Sequence, residues 1–356
     1  MKLGIVVNNV MTEKRGYTTT HIALAATNRG HEVWYMGVDN FAFGPEEHVC
    51  AHARQVQMRH YRNVVTYTRS LHDESAIQER ISLDQLDVLL LRNDPAEDVN
   101  KRPWARLAGI NFGRLAKNHG VIVLNDPDGL AQAVNKMYLL LFPPEVRPTT
   151  LISCDRHDIK AFIRELGGYA VIKPLAGSGG RNVFLITPSE APNLNSMIDA
   201  VSTEGYVVVQ EYLPDAIHGD TRMFVVNAQP FIVDGVYAAI QRVRSVGDVD
   251  MRSNLSAGAI SNSANVTEKM LEVAEIIRPR LIQDGMFMVG LDIVKDKLME
   301  INVFSPGGMQ IAERLYNAHF AREIVCLLEH KVEYRHQHRE NFNNVEIATA
   351  APLTSC

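Results

Sequence analysis

The sequence predicts an α/β protein that opens with a mainly parallel sheet and closes with antiparallel hairpins. Three observations predict it. Strand-like runs alternate with helical stretches between residues 2 and 124, the order a parallel sheet requires. From residue 169 onward, apolar runs are joined in pairs by polar or glycine-bearing turns, the pattern of hairpins. The first turn, residues 8–20, lacks the GxGxxG fingerprint, which counts against a dinucleotide-dependent dehydrogenase.

Taken in order, residues 2–7 (KLGIVV) read as a buried strand, and 21–29 as a helix stopped by Gly30. A strand over 32–36 follows, then a polar stretch rich in His and Arg. Residues 86–91 and 121–124 are further strands, with a helix through 111–118 between them. The pattern changes near 126. AQAVNKMYLLLF (131–142) reads as helical and PPEVRPTT (143–150) as an extended linker. A helix over 158–166 precedes two β runs in YAVIKPLAGSGGRNVFLI (169–186). A helix over 193–202, a strand over 206–210 and an antiparallel pair in 223–240 come next. A helix over 268–284 leads to a hairpin, 288–303, and residues 311–330 form a last amphipathic helix. The expected units are an N-terminal α/β substrate domain (1–125), a lid (126–201), a catalytic antiparallel-sheet unit (202–330) and a flexible tail (331–356).

With 46% apolar and 22% charged residues, this is the composition of an ordinary globular chain. A formal charge of −5 disfavours a general nucleic-acid binder and gives no membrane-surface signal. Cys50, Cys154, Cys326 and Cys356 lie far apart without a CxxC, so neither a zinc site nor a disulfide framework is predicted. The opening apolar run is too short for a signal peptide, and no run reaches transmembrane length. A reduced, cytoplasmic protein is the economical expectation.

The segment MVGLDIVKDKLMEINVFSPGG (288–308) carries the strongest chemistry. A hairpin folding about Asp296 sets Asp292 opposite Glu300, with Cβ atoms roughly 4.5–5.5 Å apart. Asn302 shares the face of Glu300 through the two-residue strand period. Three oxygen-bearing side chains on an apolar sheet suit a hard cation such as Mg²⁺, usually held by one or two carboxylates plus phosphates. A solvent-facing polar surface would instead alternate regularly and include Lys or Thr.

Upstream, Lys173 ends a strand just before Ala176-Gly177-Ser178-Gly179-Gly180. A fixed cation beside a glycine loop suits phosphates, since backbone N–H groups approach anionic oxygens without a Cβ in the way. The spacing is not GxxxxGK[ST], so a P-loop is excluded. VVVQEYLP (207–214) is an apolar strand running into a polar hinge, able to meet a purine edge. GDTR (219–222) supplies Arg222, suited to charge developing in phosphoryl transfer. MRSNLSAGA (251–259) supplies Arg252 and Asn254 in a loop of small residues, suited to an acyl phosphate or carboxylate. No Ser-His-Asp or Cys-His set stands out. His330, His336 and His338 read as solvated, and Met286 and Met288 as core.

In order and spacing, NDPDGLAQAVNK, VIKPLAGSGG, VVVQEYLP, GDTR, RSNLSAG and GLDIV…LMEINVFSP resemble the ATP-grasp ligases, and among them the bacterial glutathione synthetase type. The resemblance spans about residues 1–330. It implies an ATP-grasp fold: a Rossmann-like pre-ATP-grasp domain, a small α+β lid and an antiparallel-sheet catalytic domain. It further implies that Lys136 and Lys173, with the glycine loop Gly177, Ser178, Gly179 and Gly180, hold the ATP phosphates. Gln210, Glu211, Tyr212 and Leu213 form the adenine pocket, and Asp220 contacts the ribose side. Arg222 and Arg252 stabilise phosphate and acyl-phosphate charge with Asn254 nearby. Asp292, Glu300 and Asn302 bind Mg²⁺, with Mn²⁺ as an alternative, and Ser305, Pro306, Gly307 and Gly308 cradle a substrate carboxylate.

The implied activity is an ADP-forming amide ligation through an acyl phosphate, with γ-glutamylcysteine and glycine as lead substrates. Relatives also imply small-molecule partners and a dimer or tetramer. Two departures bear on the substrates. Gly307 stands where the type has threonine, and Gln310 where it has an arginine, whose planar fork alone binds a carboxylate bidentately. A RimK-like ligase acting on a peptide or protein is the alternative within the class. A catalytically silent nucleotide-binding regulator is the alternative outside it, disfavoured by the presence of Lys173, Arg222, Asp292, Glu300 and Asn302.

Overall fold

The computed structural model describes every residue except 100, 178–179, 204, 244–259, 339–341 and 352–356. Three principal sheets organise it. The first contains β1 (Lys2–Val7), β2 (Glu32–Gly37), β3 (Phe41–Phe43), β4 (Val49–Gln55), β5 (Ile77–Ser82), β6 (Val88–Leu91) and β7 (Ile122–Leu124). Its parallel part runs β2-β1-β6-β7, with α1 (Thr18–Asn28) and α3 (Ala108–Asn118) in the crossovers. The polar stretch after β2, given no element in the sequence, is structured. It folds into antiparallel β3, β4 and β5 and α2 (Val64–His72), because β4 alternates buried and exposed residues that periodicity alone left faint.

After α4 (Pro127–Gln132), Lys136–Leu141 is a 3₁₀ stretch rather than the continuation of one helix; Asn135 caps it by accepting from the Met137 N–H at 2.9 Å. The second sheet, ordered β10-β9-β11-β8, comprises β8 (Thr150–Ser153), β9 (Ala170–Pro174), β10 (Phe184–Ile186) and β11 (Val207–Glu211). It packs on α5 (Arg156–Glu165) and α6 (Leu194–Ser202) around a separate core that includes Ile159, Ile172 and Val209. Since β11 pairs with both β8 and β9, the expected boundary at 201 falls inside this unit.

The third sheet holds β12 (Asp220–Val226), β13 (Gln229–Pro230), β16 (Ala239–Val243), β17 (Ile260–Ser263), β18 (Met288–Val294) and β19 (Lys297–Asn302). A small hairpin of β14 (Ile232–Val233) and β15 (Val236–Tyr237) lies between β13 and β16. The helix α7 (Glu268–Gln283) is capped by Thr267 and buries Val273, Ile277 and Leu281.

Two expectations for the C-terminal part change. The single helix over 311–330 is α8 (Met309–Tyr316) and α9 (Phe320–Gln337), broken where Asn317 takes a left-handed φ of 52°. The supposed tail is also structured over its described part. The α9 helix runs on through Gln337, and α10 (Asn344–Thr349) docks against β7 and α7, with Ile347 and Ala348 buried. Its short apolar face gives too weak a period to stand out in sequence. Among the described residues no helix is long and apolar enough to cross a membrane.

Candidate active site

The glycine-loop strand β9 alternates its faces. Ala170, Ile172 and Pro174 are buried in the second unit, while Val171 and Lys173 turn toward the third sheet. Facing them is the hairpin β18–β19. Its turn is tight, with Lys295 at φ 58°, and Val294 pairs with Lys297. A β-bulge then shifts the register, so Asp292 lies opposite Glu300 and Met299 is the extra residue. Met299 and Glu300 therefore both reach the gap between the two sheets.

That gap is a cleft with about 1090 Å³ of empty space. Val171, Val183, Leu185, Leu213 and Met299 make an apolar slot suited to a planar ring. Gln210, Glu211, Tyr212 and Leu213 line one end; Lys136, Lys173, Gly177 and Gly180 line the other. Gly177 and Gly180 have φ of 116° and 71°, values a side chain would strain. The Lys136 ammonium donates to the Gly177 carbonyl at 2.9 Å and so holds Gly177 in place. Burial pushes the Lys173 ammonium down to about 8, against the pull of Glu300. The Glu211 carboxylate is held by the Thr149 N–H (3.1 Å) and hydroxyl (2.9 Å), so it braces the hinge. Buried Gln210 donates to the Thr150 hydroxyl at 3.3 Å.

A second cleft adjoins the first. Asn302, Ser305, Asp94 and Asn135 line it, and Lys136, Lys173, Gly177, Met299 and Glu300 form a wall common to both. Pro306, Gly307 and Gly308 follow Ser305, and two arginines hold carbonyls of the 304–307 stretch. Arg92 donates to the Phe304 carbonyl at 3.1 Å and the Pro306 carbonyl at 3.5 Å, and Arg222 to the Gly307 carbonyl at 3.1 Å. Gln310, in the arginine's expected place, donates to the Gly16 carbonyl.

The charged centre differs most from expectation. Asp292 is 1% exposed, and both its oxygens accept hydrogen bonds from Arg222, with Nη2 at 2.8 Å. Arg242 reaches the same carboxylate at 2.8 Å, and the Asn302 amide donates to it at 3.2 Å. Burial pushes the Asp292 carboxyl up, but the two guanidinium groups overcome it and hold it well below the usual range. Asp220, expected at the ribose, is instead 1% exposed and ion-paired with Arg242, whose Nε lies at 3.0 Å. It does not line the first cleft, whereas Arg242 does. Arg242 escaped the sequence reading because it sits in an ordinary alternating strand with no motif around it. Ser178, Gly179, Arg252 and Asn254 lie outside the described residues.

A divalent cation fits this donor set. A carboxylate offers about four lone-pair sites; Asp292 Oδ2 is filled by three donors, while Oδ1 takes one, from Arg222. Asn302 uses its amide nitrogen, leaving its carbonyl oxygen for a cation, and Glu300 faces both clefts. Among the described residues no group of three or more His, Cys, Asp or Glu gathers anywhere, so this set offers two carboxylates and one amide.

The family model for the N-terminal domain of prokaryotic glutathione synthetase matches residues 1–131, and that for its ATP-grasp domain matches 135–317. The chain belongs to the prokaryotic glutathione synthetase family. The glutathione synthetase of Gloeobacter violaceus is 33% identical over 347 residues, covering 94% of this chain and 97% of that one. The Vibrio parahaemolyticus glutathione synthetase is 28% identical over 336 residues, covering 94% and 99%. In fold, D-cycloserine synthetase DcsG superposes with a TM-score of 0.61 at 14% identity, over 92% of this chain and all of the other. Like other members of the prokaryotic glutathione synthetase family, the chain is an ATP-dependent, ADP-forming carbon–nitrogen ligase with the ATP-grasp fold, acting on small molecules and binding ATP with a divalent cation.

Proposed function

We propose that this ligase joins γ-glutamylcysteine to glycine, with ATP between the lid and the hairpin and the two substrates in the adjoining cleft. One observation carries the reading: Lys173 and Glu300 line both clefts, so a phosphate entering from one side meets a carboxylate entering from the other. The unit spanning 150–211 acts as the lid, closing over the nucleotide and excluding water from the acyl phosphate.

In this reading Gln210, Glu211, Tyr212 and Leu213 frame the adenine, while Lys136, Lys173 and the loop 177–180 hold the phosphates. Asp292, Glu300 and Asn302 hold Mg²⁺, and Mn²⁺ suits the same oxygen set. The cation supplies positive charge at the phosphates. The substrate carboxylate oxygen attacks the γ-phosphorus as the bond to ADP breaks. The amine nitrogen then attacks the acyl carbon, a C–N bond forms, and phosphate leaves as the nitrogen loses its proton. Arg222, Arg252 and Asn254 stabilise the charge that develops, and Ser305 with the 306–308 loop holds the acceptor's carboxylate.

The test is ADP release from Mg²⁺-ATP across pairs of carboxylate donors and amine acceptors. ADP that requires γ-glutamylcysteine and glycine together, with a product of the mass of glutathione, supports the reading. ADP only with another pair sinks these substrates; tight ATP binding without ADP from any pair sinks the enzyme.

A further inference from the structure

The C-terminal helix α10 lies beyond the matched ATP-grasp domain, which ends at residue 317. It is well built for its length. Asn343 accepts from the Glu346 N–H at 3.0 Å, and the Glu346 carboxylate accepts from the Asn343 N–H at 2.8 Å, a reciprocal cap. At the other end Lys331, 3% exposed on α9, donates to the Ile347 carbonyl at 2.8 Å and the Ala350 carbonyl at 3.0 Å. Its ammonium sits 5.1 Å from the centre of the Phe287 ring, one residue before β18.

Asn344 is where this helix reaches β7, at the edge of the first sheet. Its Oδ1 accepts from the Val123 N–H at 2.8 Å, and its Nδ2 donates to the Val123 carbonyl and to Asp126 Oδ2, both at 2.8 Å. The first two bonds satisfy the outward edge of β7, the last strand of its sheet. Together the three bonds pin the chain on either side of Leu124-Asn125. The Asn125 amide then does the same for the hairpin. It donates to the Met288 carbonyl at 3.0 Å and the Val303 carbonyl at 2.6 Å, and accepts from the Met288 N–H at 2.8 Å. Met288 begins the strand that carries Asp292, and Val303 follows Asn302 directly. Packing leaves little slack: a Cβ on Gly285 would stand 2.6 Å from the Asp126 Cβ and 3.2 Å from the Val345 Cα.

We propose that α10 is a clasp that positions the cation-binding hairpin, with Asn344 as its positioning residue acting through Asp126 and Asn125. The inference rests on the ligase reading only for its activity readout. In the full-length chain N344A should lower kcat about tenfold to a hundredfold, the scale expected when reacting groups move by about an ångström. The KM for ATP should stay within about twofold, since the adenine slot and the glycine loop are untouched, at a temperature where thermal melting shows the variant folded. N344D, which keeps the Val123 acceptor but sets a carboxylate against Asp126, should lose at least as much.

Amide exchange decides the matter without a variant. The Val123 and Met288 N–H groups should open together in the unsubstituted protein, because one clasp holds both. A folded N344A with unchanged kcat overturns the proposal, as does Met288 staying protected long after Val123 and α10 have exchanged. If the unsubstituted protein makes no product, the ligase reading fails while the exchange result still judges the clasp.

Discussion

Arg222 and Asp292 stand directly opposite each other on β12 and β18, and the guanidinium grips both carboxylate oxygens. Asp292 is thus the counter-ion of two buried arginines as well as a candidate cation ligand. Removing it leaves Arg222 without its carboxylate and Arg242 with Asp220 alone, a loss of about 3–5 kcal/mol for a broken buried pair. Among the described residues Glu300 bonds no guanidinium and acts on Lys173 only through its charge. D292A and E300A should therefore both abolish Mg²⁺-dependent ADP formation, but only D292A should melt many degrees lower. Thermal melts alongside ADP release separate the two; equal melting points would mean that the guanidinium grip does not stabilise the fold.

As a ligand of the ATP phosphates, the role proposed for it, Lys173 carries a pH dependence of defined sign. Burial sets the free ammonium at about 8, and bound phosphates favour the charged form. Affinity for ATP is then full below pH 8 and falls as pH rises through it, by at most about tenfold per pH unit. Titrations of ATP from pH 6.5 to 9.5 should show that decline, and K173M should flatten it while weakening binding throughout. A decline that persists in K173M would assign it to another group.

The hairpin also marks what was legible in the sequence. Asp292, Glu300 and Asn302 could be grouped because strand alternation and a polar turn are local signals. The pairing of Asp292 with Glu300 arises differently from the expected fold about Asp296: the turn is tighter, and the bulge at Met299 restores the register. Lys173 and the glycine loop were readable for the same local reason. Arg242 and the counter-ion role of Asp220 were not, since they depend on which strands lie side by side, a matter of tertiary pairing. The docking of α10 was hidden likewise, because its partners Val123 and Asp126 are over 200 residues away in the chain.

Glu13 is 8% exposed, and among the described residues its Oε2 has no hydrogen-bond partner. Burial raises its carboxyl from 4.5 to about 7, despite Arg92 nearby. Between those values the folded chain holds a proton that the unfolded chain has released, so stability falls as pH rises through the interval. Above pH 7 the full penalty, of the order of 3 kcal/mol, is present. E13Q should remove it, melting higher than the unsubstituted protein at pH 8 and close to it at pH 4.5. Melting curves at the two pH values suffice, and an E13Q that melts lower at pH 8 would mean that the charge is wanted there.

Asp220 invites the sharpest comparison, because the sequence resemblance assigns it to ribose while the fold gives it to Arg242. A ribose contact predicts that ATP outbinds 3′-deoxy-ATP, and that D220N erases the difference. An ion-pair role predicts the same preference ratio with and without the substitution. D220N should instead cost stability toward the low end of the roughly 3–5 kcal/mol for a broken buried pair, since asparagine keeps one acceptor and Arg242 keeps Asp292. It should also lower kcat, because a loosened Arg242 no longer steadies Asp292. Binding of the two nucleotides to both proteins, with a melting curve for each, resolves the question. A preference for ATP that vanishes in D220N would return Asp220 to the ribose.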